Sequence, residues 1–136
     1  MIDENCVTTS TDRLIVRSEM GKSIKIDNAK EVTINCIVVD GCAITQGRRC
    51  DYLFIIGPNR YEVFVELKGN KVEKAAAQLQ RSIELLTQNK GAAKVALIVA
   101  SKCPAISSKL QKFKLQFKKN FNATLMVKNR TCTHKA

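Results

Sequence analysis

The N-terminal half of the chain shows the apolar patterns of β-strands. Residues 23–27 alternate apolar and polar positions with a period of two, and residues 32–39 form a run rich in β-branched side chains, as a buried strand does. Residues 57–60, Gly-Pro-Asn-Arg, separate two further apolar runs and place proline where a type I turn favours it, which predicts a hairpin. The predicted strands are 13–17, 23–27, 32–39, 51–56 and 61–67.

After the hairpin, the spacing of apolar residues changes to that of helices. A first helix is predicted with Asn70 as its N-cap and Lys90-Gly91 at its end. Residues 95–100 form a continuous apolar strand, and a second helix is predicted with Pro104 in its first turn. The apolar stripes of the two helices are Val72, Ala76, Leu79, Ile83 and Leu86, then Ile106, Leu110, Phe113 and Phe117.

The order of these elements predicts the fold class. Residues 123–127 are a last strand, and residues 129–136 are interpreted as a frayed polar tail. The hairpin supplies antiparallel pairing, and the later alternation of strands and helices supplies crossovers and parallel pairing. We therefore expect an α/β fold in which helices flank a mixed central β-sheet. The 136 residues fit a single domain, with its core at about 32–128.

Positive charge is concentrated at the C-terminal end of the sequence. The net charge is +11, and all twelve acidic residues lie at or before Glu84. Residues 85–136 carry eleven Lys and Arg and no acid, so the whole excess lies there. Such a one-sided field attracts polyanions, of which nucleic acid is the commonest. A solvated basic surface and an anionic membrane surface are the alternatives, and we expect no membrane partner.

The start of the chain and its cysteines bear on the cellular compartment. The chain opens with polar and acidic residues unlike a signal peptide, and no apolar run is long enough to cross a bilayer. We therefore expect a cytoplasmic protein whose six cysteines are reduced thiols. Cys36 lies in a strand-like run and is predicted to be a buried thiol. The sequence has no CxxC pair, and only Cys42 and Cys50 leave a zinc site open.

The hairpin brings charged residues together. If residues 57–60 form the turn, Ile56 pairs with Tyr61, and counting back places Asp51 opposite Glu66. Lys68 lies two residues farther and shares the same face. Two neighbouring carboxylates repel unless a cation neutralises them, and Mg²⁺ is typically held by one or two carboxylates. Such an ion polarises a phosphodiester, and a nearby lysine positions the attacking water. The alternative is a solvated hairpin end in which Lys68 forms a salt bridge.

These residues resemble a known family. Asp51, followed by fourteen residues and Glu66-Leu67-Lys68, is similar to the motif of the PD-(D/E)xK nucleases, which include restriction endonucleases and Holliday-junction resolvases. The resemblance covers about 32–128, and Cys50 replaces the proline of the motif. It implies a restriction-endonuclease-like core with Asp51 and Glu66 as ligands for Mg²⁺ or Mn²⁺ and Lys68 as the catalytic lysine. It also implies an endonuclease acting on DNA rather than RNA, and we expect a homodimer because cutting two strands needs two sites.

Additional residues could complete such a site. Asp40 ends one strand and comes close to Asp51 if the two strands pair, although a turn aspartate before Gly41 is the slightly favoured alternative. Similar nucleases often carry another acid on an N-terminal helix, but the sequence shows no convincing helix before residue 32. Gln78 and Gln80 are candidates for a polar residue that faces the metal from the first helix, although an exposed helix position is the favoured explanation for each. The acids considered for the N-terminal position are Glu4, Glu19 and Glu31.

Basic residues near the motif and in the second helix are candidates for contacts with the nucleic-acid backbone. Such contacts position a nucleic acid without reading its sequence, and each of these residues has solvation as its alternative. Phe113 and Phe117 are interpreted as core residues, and His134 lies in the tail. Two other functions stay open: a non-catalytic nucleic-acid-binding domain, and a phage or plasmid interaction protein. The candidate basic residues are Arg48, Arg49, Lys71, Lys74, Lys109, Lys112, Lys128 and Arg130.

Overall fold

The computed structural model of the chain describes residues 2–67, 71–101 and 107–136. Within them the fold is mixed α/β, as the sequence predicts. The elements in chain order are a short 3-10 helix Glu4–Cys6, β1 Val7–Ser10, β2 Leu14–Glu19, β3 Lys22–Asp27, β4 Ile34–Val38, β5 Tyr52–Ile56, β6 Tyr61–Glu66, α1 Val72–Leu86, β7 Lys94–Ala100, α2 Ser108–Phe121, β8 Ala123–Asn129 and β9 Thr131–Lys135.

The strands of the described residues form two sheets. The larger sheet has six strands in the order β1-β4-β5-β6-β7-β8. Its first four strands pair antiparallel, whereas β6, β7 and β8 pair parallel because α1 and α2 carry the chain back between them. The smaller sheet has three strands in the order β2-β3-β9. The mixed sheet expected from the sequence is therefore confirmed.

The six-stranded sheet is the middle of three layers. One of its faces packs against α1 and α2, and the other packs against the three-stranded sheet. Alternation along the β5–β6 hairpin fills both cores, so every residue of its two strands after the first is buried. Leu53, Ile55 and Phe64 belong to the core beneath the helices, and Phe54, Val63 and Val65 belong to the core between the sheets.

The C-terminal segment corrects the sequence-based interpretation of a frayed tail. Residues Thr131–Lys135 form β9, which pairs in parallel with β3 from Ser23 opposite Thr131 to Asp27 opposite Lys135. The segment reads as polar because its alternate side chains are exposed, but Cys132 is buried between the sheets. Strand β1 also lay outside the predicted set, since it is a short and largely exposed strand at the edge of the sheet.

The ends of the helices also differ from the predicted ones. Helix α1 ends at Leu86, before Lys90-Gly91, because Glu62 accepts hydrogen bonds from Thr87 Oγ1 (2.6 Å) and Gln88 N (2.8 Å). Helix α2 begins at Ser108 after Ser107, whose Oγ accepts from Leu110 N. The predicted positions Asn70, Pro104 and Ile106 lie outside the described residues.

The cysteines correct a second expectation. Cys6 and Cys42 form a disulfide that ties the start of β1 to the turn after β4, so these two are not reduced thiols. A zinc site at Cys42 and Cys50 is also excluded, because the sulfur of Cys42 is bonded to Cys6. Cys36 is a buried free thiol, as predicted. Neither helix in the described part of the chain has the length and apolar content needed to traverse a lipid bilayer.

Truncation after Arg130 tests the role of β9. Removing residues 131–136 deletes the pairing with β3 and exposes the core between the sheets, so we expect the free energy of unfolding to fall by about 3 kcal/mol or more. Urea denaturation measures this change. The matched control, Thr133→Ala with Lys135→Ala, changes only exposed side chains of β9 and is expected to stay within about 0.5 kcal/mol of the parent. A truncated chain as stable as the parent would show a dispensable tail.

Reduction tests the disulfide. The bond closes a loop with a sequence separation of 36, and opening such a loop is expected to lower the free energy of unfolding by about 3 kcal/mol. Thermal melting with and without a phosphine reductant measures the loss. The Cys6→Ser, Cys42→Ser double variant is the control, and reductant should not change its melting temperature. Equal melting of the parent in both conditions would contradict the bond.

Candidate active site

The β5–β6 hairpin has the register that its turn predicts. Ile56 lies opposite Tyr61, and the pairing continues to Tyr52 opposite Val65. Gly57 (φ +70°) and Arg60 (φ +54°) adopt the left-handed conformation that closes the turn. The next step of this register places Asp51 beside Glu66, one residue beyond the last ladder pair.

Asp51 lies where the two strands part. Its N–H donates to Val65 O (3.0 Å), and its Oδ2 accepts from Leu67 N (2.7 Å). The carboxylate therefore takes the place of a backbone acceptor for Leu67 where the ladder has ended. Asp51 is only 3% exposed, so this bond fixes a buried carboxylate at the end of the hairpin.

Glu66 lies beside Asp51 on the same side of the sheet. Side chains alternate along β6, so Glu66 points to the same face as Phe64, towards the helices, and away from Val65. Glu66 is only 2% exposed, and its backbone is in register with Ile98 of β7. Lys68, the third member of the predicted cluster, lies outside the described residues. The structure therefore brings two of the predicted catalytic residues together at one buried strand end.

The pKa of the Cys50 thiol shows that both carboxylates lie near it. Burial raises the pKa of this thiol to about 12, a hydrogen bond with Ser82 opposes the rise, and the charges of Glu66 and Asp51 add to it. Both carboxylates must lie within electrostatic range of the thiol to act in this way. The Cys50 position, which holds proline in the family motif, is thus next to both acids.

Asp40 approaches Asp51 through its backbone. Strands β4 and β5 pair, and the N–H groups of Val39 and Asp40 lie 3.0 and 3.4 Å from Asp51 O. The carboxylate of Asp40, however, accepts from Arg49 Nε at 2.7 Å and is about one-third exposed. Asp40 therefore lies close to Asp51, but its carboxylate forms an ion pair with Arg49.

Ser82 of α1 contacts the start of the site, and sequence reasoning missed it. Its Oγ accepts from Cys50 N (2.7 Å) and donates to Gln78 O (2.9 Å), which joins α1 to the segment that enters β5. A small polar residue beside Leu79 and Ile83 in the apolar stripe was the available signal. Gln78 lies half-buried one turn before Ser82, on the same face of the helix.

Gln80 is not part of the candidate site. It is exposed, and its Nε2 donates to Glu84 Oε1 at 3.1 Å. Of the two glutamines that the sequence proposed, only Gln78 lies on the helix face that contacts the hairpin.

The loop before Asp51 is held by Arg81, which the sequence did not single out. Its Nη1 donates to Gln46 O and to Arg48 O, both at 2.8 Å. Gly47 permits this contact, because a Cβ there would lie 2.8 Å from Arg81 Nη1, and Gly47 has φ +80°. Arg48 is thereby fixed three residues before Asp51.

A groove of about 700 Å³ runs between the N-terminal halves of α1 and α2, and we call it the α1–α2 groove. Lys109 pairs with Glu73 at 2.8 Å in an exposed ion pair. Four of the eight predicted basic residues line the groove with that carboxylate. The lining residues are Arg48, Lys71, Val72, Glu73, Lys74, Ala77, Ser107, Lys109, Leu110 and Phe113.

The other four basic residues do not share this surface. Arg49 is paired with Asp40, and Lys112 is exposed on α2 outside the groove. The positive charge of Lys128 opposes the rise that burial causes in the pKa of Cys132, so the two side chains are near each other. Cys132 belongs to the core between the sheets, and Lys128 therefore lies on the opposite face of the large sheet from the acid pair. Arg130 Nε donates to Ser101 O at 3.4 Å beyond the end of β7.

The remaining candidates lie elsewhere. Glu4 is exposed in the 3-10 helix, Glu19 is in the three-stranded sheet opposite Lys22, and Glu31 contacts Arg13. His134 stacks on Tyr61 at the opposite end of β6 from Glu66, with ring centroids 6.3 Å apart. Burial lowers the pKa of His134.

The donor set of the pair fits a hard cation. Among residues 2–67, 71–101 and 107–136, no group of three or more His, Cys, Asp or Glu side chains is close enough to hold a metal ion. Mg²⁺ needs only one or two carboxylates, because water and substrate phosphate complete its octahedron. Asp51 and Glu66 supply carboxylate oxygens, which are ligands that suit Mg²⁺ or Mn²⁺.

Comparison with known proteins finds no match among protein-family models, curated proteins or solved structures.

Alkylation of Cys50 tests the buried surroundings of the acid pair. A thiol with a pKa of about 12 carries almost no thiolate at pH 8, and thiolate is the form that reacts. We expect the tryptic peptide from Cys50 to Arg60 to stay unmodified by iodoacetamide in the folded protein, as followed by mass spectrometry. The same peptide in denaturant is the control and should be modified fully. Equal modification rates in both states would contradict the described burial.

Proposed function

We propose that this protein is a metal-dependent endonuclease that hydrolyses DNA phosphodiester bonds, of the PD-(D/E)xK type. One observation supports the proposal above the others. Two buried carboxylates, Asp51 and Glu66, lie side by side where the two strands of a central hairpin separate, and the charges of both raise the pKa of the Cys50 thiol. The third residue of the motif, Lys68, enters the proposal through the resemblance alone.

Asp51 and Glu66 are the residues that would hold the ion. When bound, a divalent cation polarises the phosphodiester and lowers the pKa of a coordinated water. The hydrogen bond from Leu67 N holds the Asp51 carboxylate in place, so little reorganisation is needed on binding. Burial lowers the local dielectric constant and strengthens the attraction between the carboxylates and a cation. The proposed role of Lys68 is to orient the attacking water or to stabilise the charge that develops on the phosphate.

The basic residues of the α1–α2 groove are proposed to hold the phosphate backbone. Arg48 lies three residues before Asp51, and Lys71 lies five residues after Glu66, so the chain that forms the acid pair also leads into the groove. Backbone contacts of this kind give affinity without sequence preference. The net charge of +11 favours the approach of a polyanion. For cutting both strands of a duplex, we propose a homodimer.

We also propose that the protein acts in the cytoplasm. Reductants there keep most thiols reduced, which would oppose the bond that the structure shows between Cys6 and Cys42. The proposed site contains neither residue, and its chemistry does not depend on their bond.

A nicking assay tests the proposal. Supercoiled plasmid with Mg²⁺ or Mn²⁺ is incubated with the parent, Asp51→Asn and Glu66→Gln, and the variants are expected to lose at least about 100-fold in rate because each removes a charged metal ligand. Glu62→Gln is the matched control: it is on the same strand and face and is buried, but it caps the end of α1. It is expected to keep the parental rate, with folding of all variants checked by circular dichroism.

The other outcomes separate the alternative functions. Equal nicking by the parent and both acid variants would assign the activity to a contaminant and overturn the proposal. Salt-sensitive binding of DNA without nicking would favour a non-catalytic nucleic-acid-binding domain. Neither binding nor nicking would favour an interaction protein.

A further inference from the structure

The α1–α2 groove has an apolar floor as well as a charged rim. Val72 and Ala77 line it from α1, and Leu110 and Phe113 line it from α2. Phe113 packs against the core beneath the helices but is only half-buried, and its remaining surface borders the groove. Phe117, by contrast, is fully buried. The interpretation of both phenylalanines as core residues therefore holds for Phe117 and is incomplete for Phe113.

The rim of the groove is strongly cationic. Arg48, Lys71, Lys74 and Lys109 surround it, and Glu73 is the one carboxylate among the described residues that line it. The N-cap residues of both helices, Lys71 and Ser107, lie there too, so the positive ends of two helix dipoles add to the charge of the side chains. The ligand that fits is anionic at its edge and apolar and flat in its middle.

A nucleotide of an unpaired strand has this chemistry, whereas a duplex does not offer it. In a duplex the bases are stacked inside, so the protein meets mainly phosphate and sugar, and cations alone suffice. Single strands expose base faces that stack on aromatic side chains while their phosphates follow a basic groove. The volume of about 700 Å³ falls within the roughly 300–1,000 Å³ range of sites that enclose small ligands.

We infer that the α1–α2 groove binds an unpaired nucleotide of single-stranded nucleic acid, with its base against Phe113 and its phosphates on Arg48, Lys71 and Lys74. The inference rests on the proposed nuclease function for its place in a reaction, and it narrows the substrate to a strand with an unpaired segment.

The groove lies close enough to the acid pair to deliver such a strand. Consecutive Cα atoms are about 3.8 Å apart, so the Cα of Arg48 lies within roughly 11 Å of the Cα of Asp51. A strand held in the groove therefore reaches the acids within a few nucleotides.

Binding without metal tests the inference apart from cleavage. Fluorescence anisotropy in EDTA compares a labelled 15-nucleotide single strand with a blunt hairpin duplex for the parent, Phe113→Leu and Phe113→Tyr. We expect the parent to prefer the single strand and Phe113→Leu to lose about fivefold or more of that affinity, as loss of base stacking does. Its duplex affinity should not change. Phe113→Tyr keeps the aromatic ring and should bind the single strand as the parent does.

A second pair of variants does not depend on the packing of Phe113. Lys74→Gln changes an exposed groove residue, and Lys119→Gln changes an exposed residue of α2 outside the groove. Lys74→Gln should reduce the slope of log affinity for the single strand against log salt by about 0.7, as removal of one phosphate contact does. Lys119→Gln should leave the slope at its parental value.

Equal affinity of the parent for single strand and duplex would overturn the inference, and so would an unchanged salt slope in Lys74→Gln. A stably folded Phe113→Leu variant that binds the single strand as the parent does would overturn it as well. If the parent nicks no substrate with Mg²⁺ but prefers the single strand, and Phe113→Leu abolishes that preference, the proposed nuclease is rejected and the inferred groove is kept. Nicking by a parent without that preference would keep the nuclease and reject the groove.

Discussion

The hydrogen bond from Leu67 N to the Asp51 carboxylate is the interaction on which the candidate site depends. It occurs where the β5–β6 ladder ends, and it substitutes a side-chain oxygen for the backbone acceptor that a continued ladder would supply. The bond holds the two strands together for one more residue and fixes a carboxylate beside Glu66. Without it, a buried backbone N–H would lose its acceptor, a loss that typically costs about 1–3 kcal/mol.

The three-layer architecture makes this strand end rigid and also creates the groove beside it. The hairpin is covered by helices on one face and by β2, β3 and β9 on the other, so its alternating apolar residues fix its register. Parallel pairing of β6, β7 and β8 makes α1 and α2 start at the same edge of the sheet. The acid pair and the cationic groove therefore share an edge because of chain topology, as is common in α/β proteins.

The sequence predicted features that depend on local patterns. The turn at 57–60 and the alternation around it gave the hairpin register, and the helical stripes gave the buried faces of α1 and α2. Features that depend on distant partners were missed. The bond between Cys6 and Cys42, the contact of Ser82 with Cys50 and the hold of Arg81 on the 46–48 loop join residues that are far apart in sequence. Strand β9 was missed because its only fully buried side chain is a cysteine among polar neighbours.

The candidate site, like the fold, was predicted where it depends on local sequence patterns and missed where it does not. Pairing of the hairpin placed Asp51 and Glu66 together, and three of the candidate basic residues near them in sequence, Arg48, Lys71 and Lys74, line the groove. Lys128 was wrongly placed with the basic side of α2, because neighbouring strand residues point to opposite faces of the sheet. Asp51 and Glu66 are also more deeply buried than the alternative of a solvated hairpin end implies.

The central claim is that two buried carboxylates form a site for one divalent cation. Anomalous scattering from a crystal soaked in Mn²⁺ tests it most directly, with an Asp51→Asn crystal soaked in the same way as the control. The account predicts one manganese peak in contact with Asp51 and Glu66 in the parent and no peak at that place in the variant. Density that shows no manganese between the two carboxylates at saturating Mn²⁺ would contradict it.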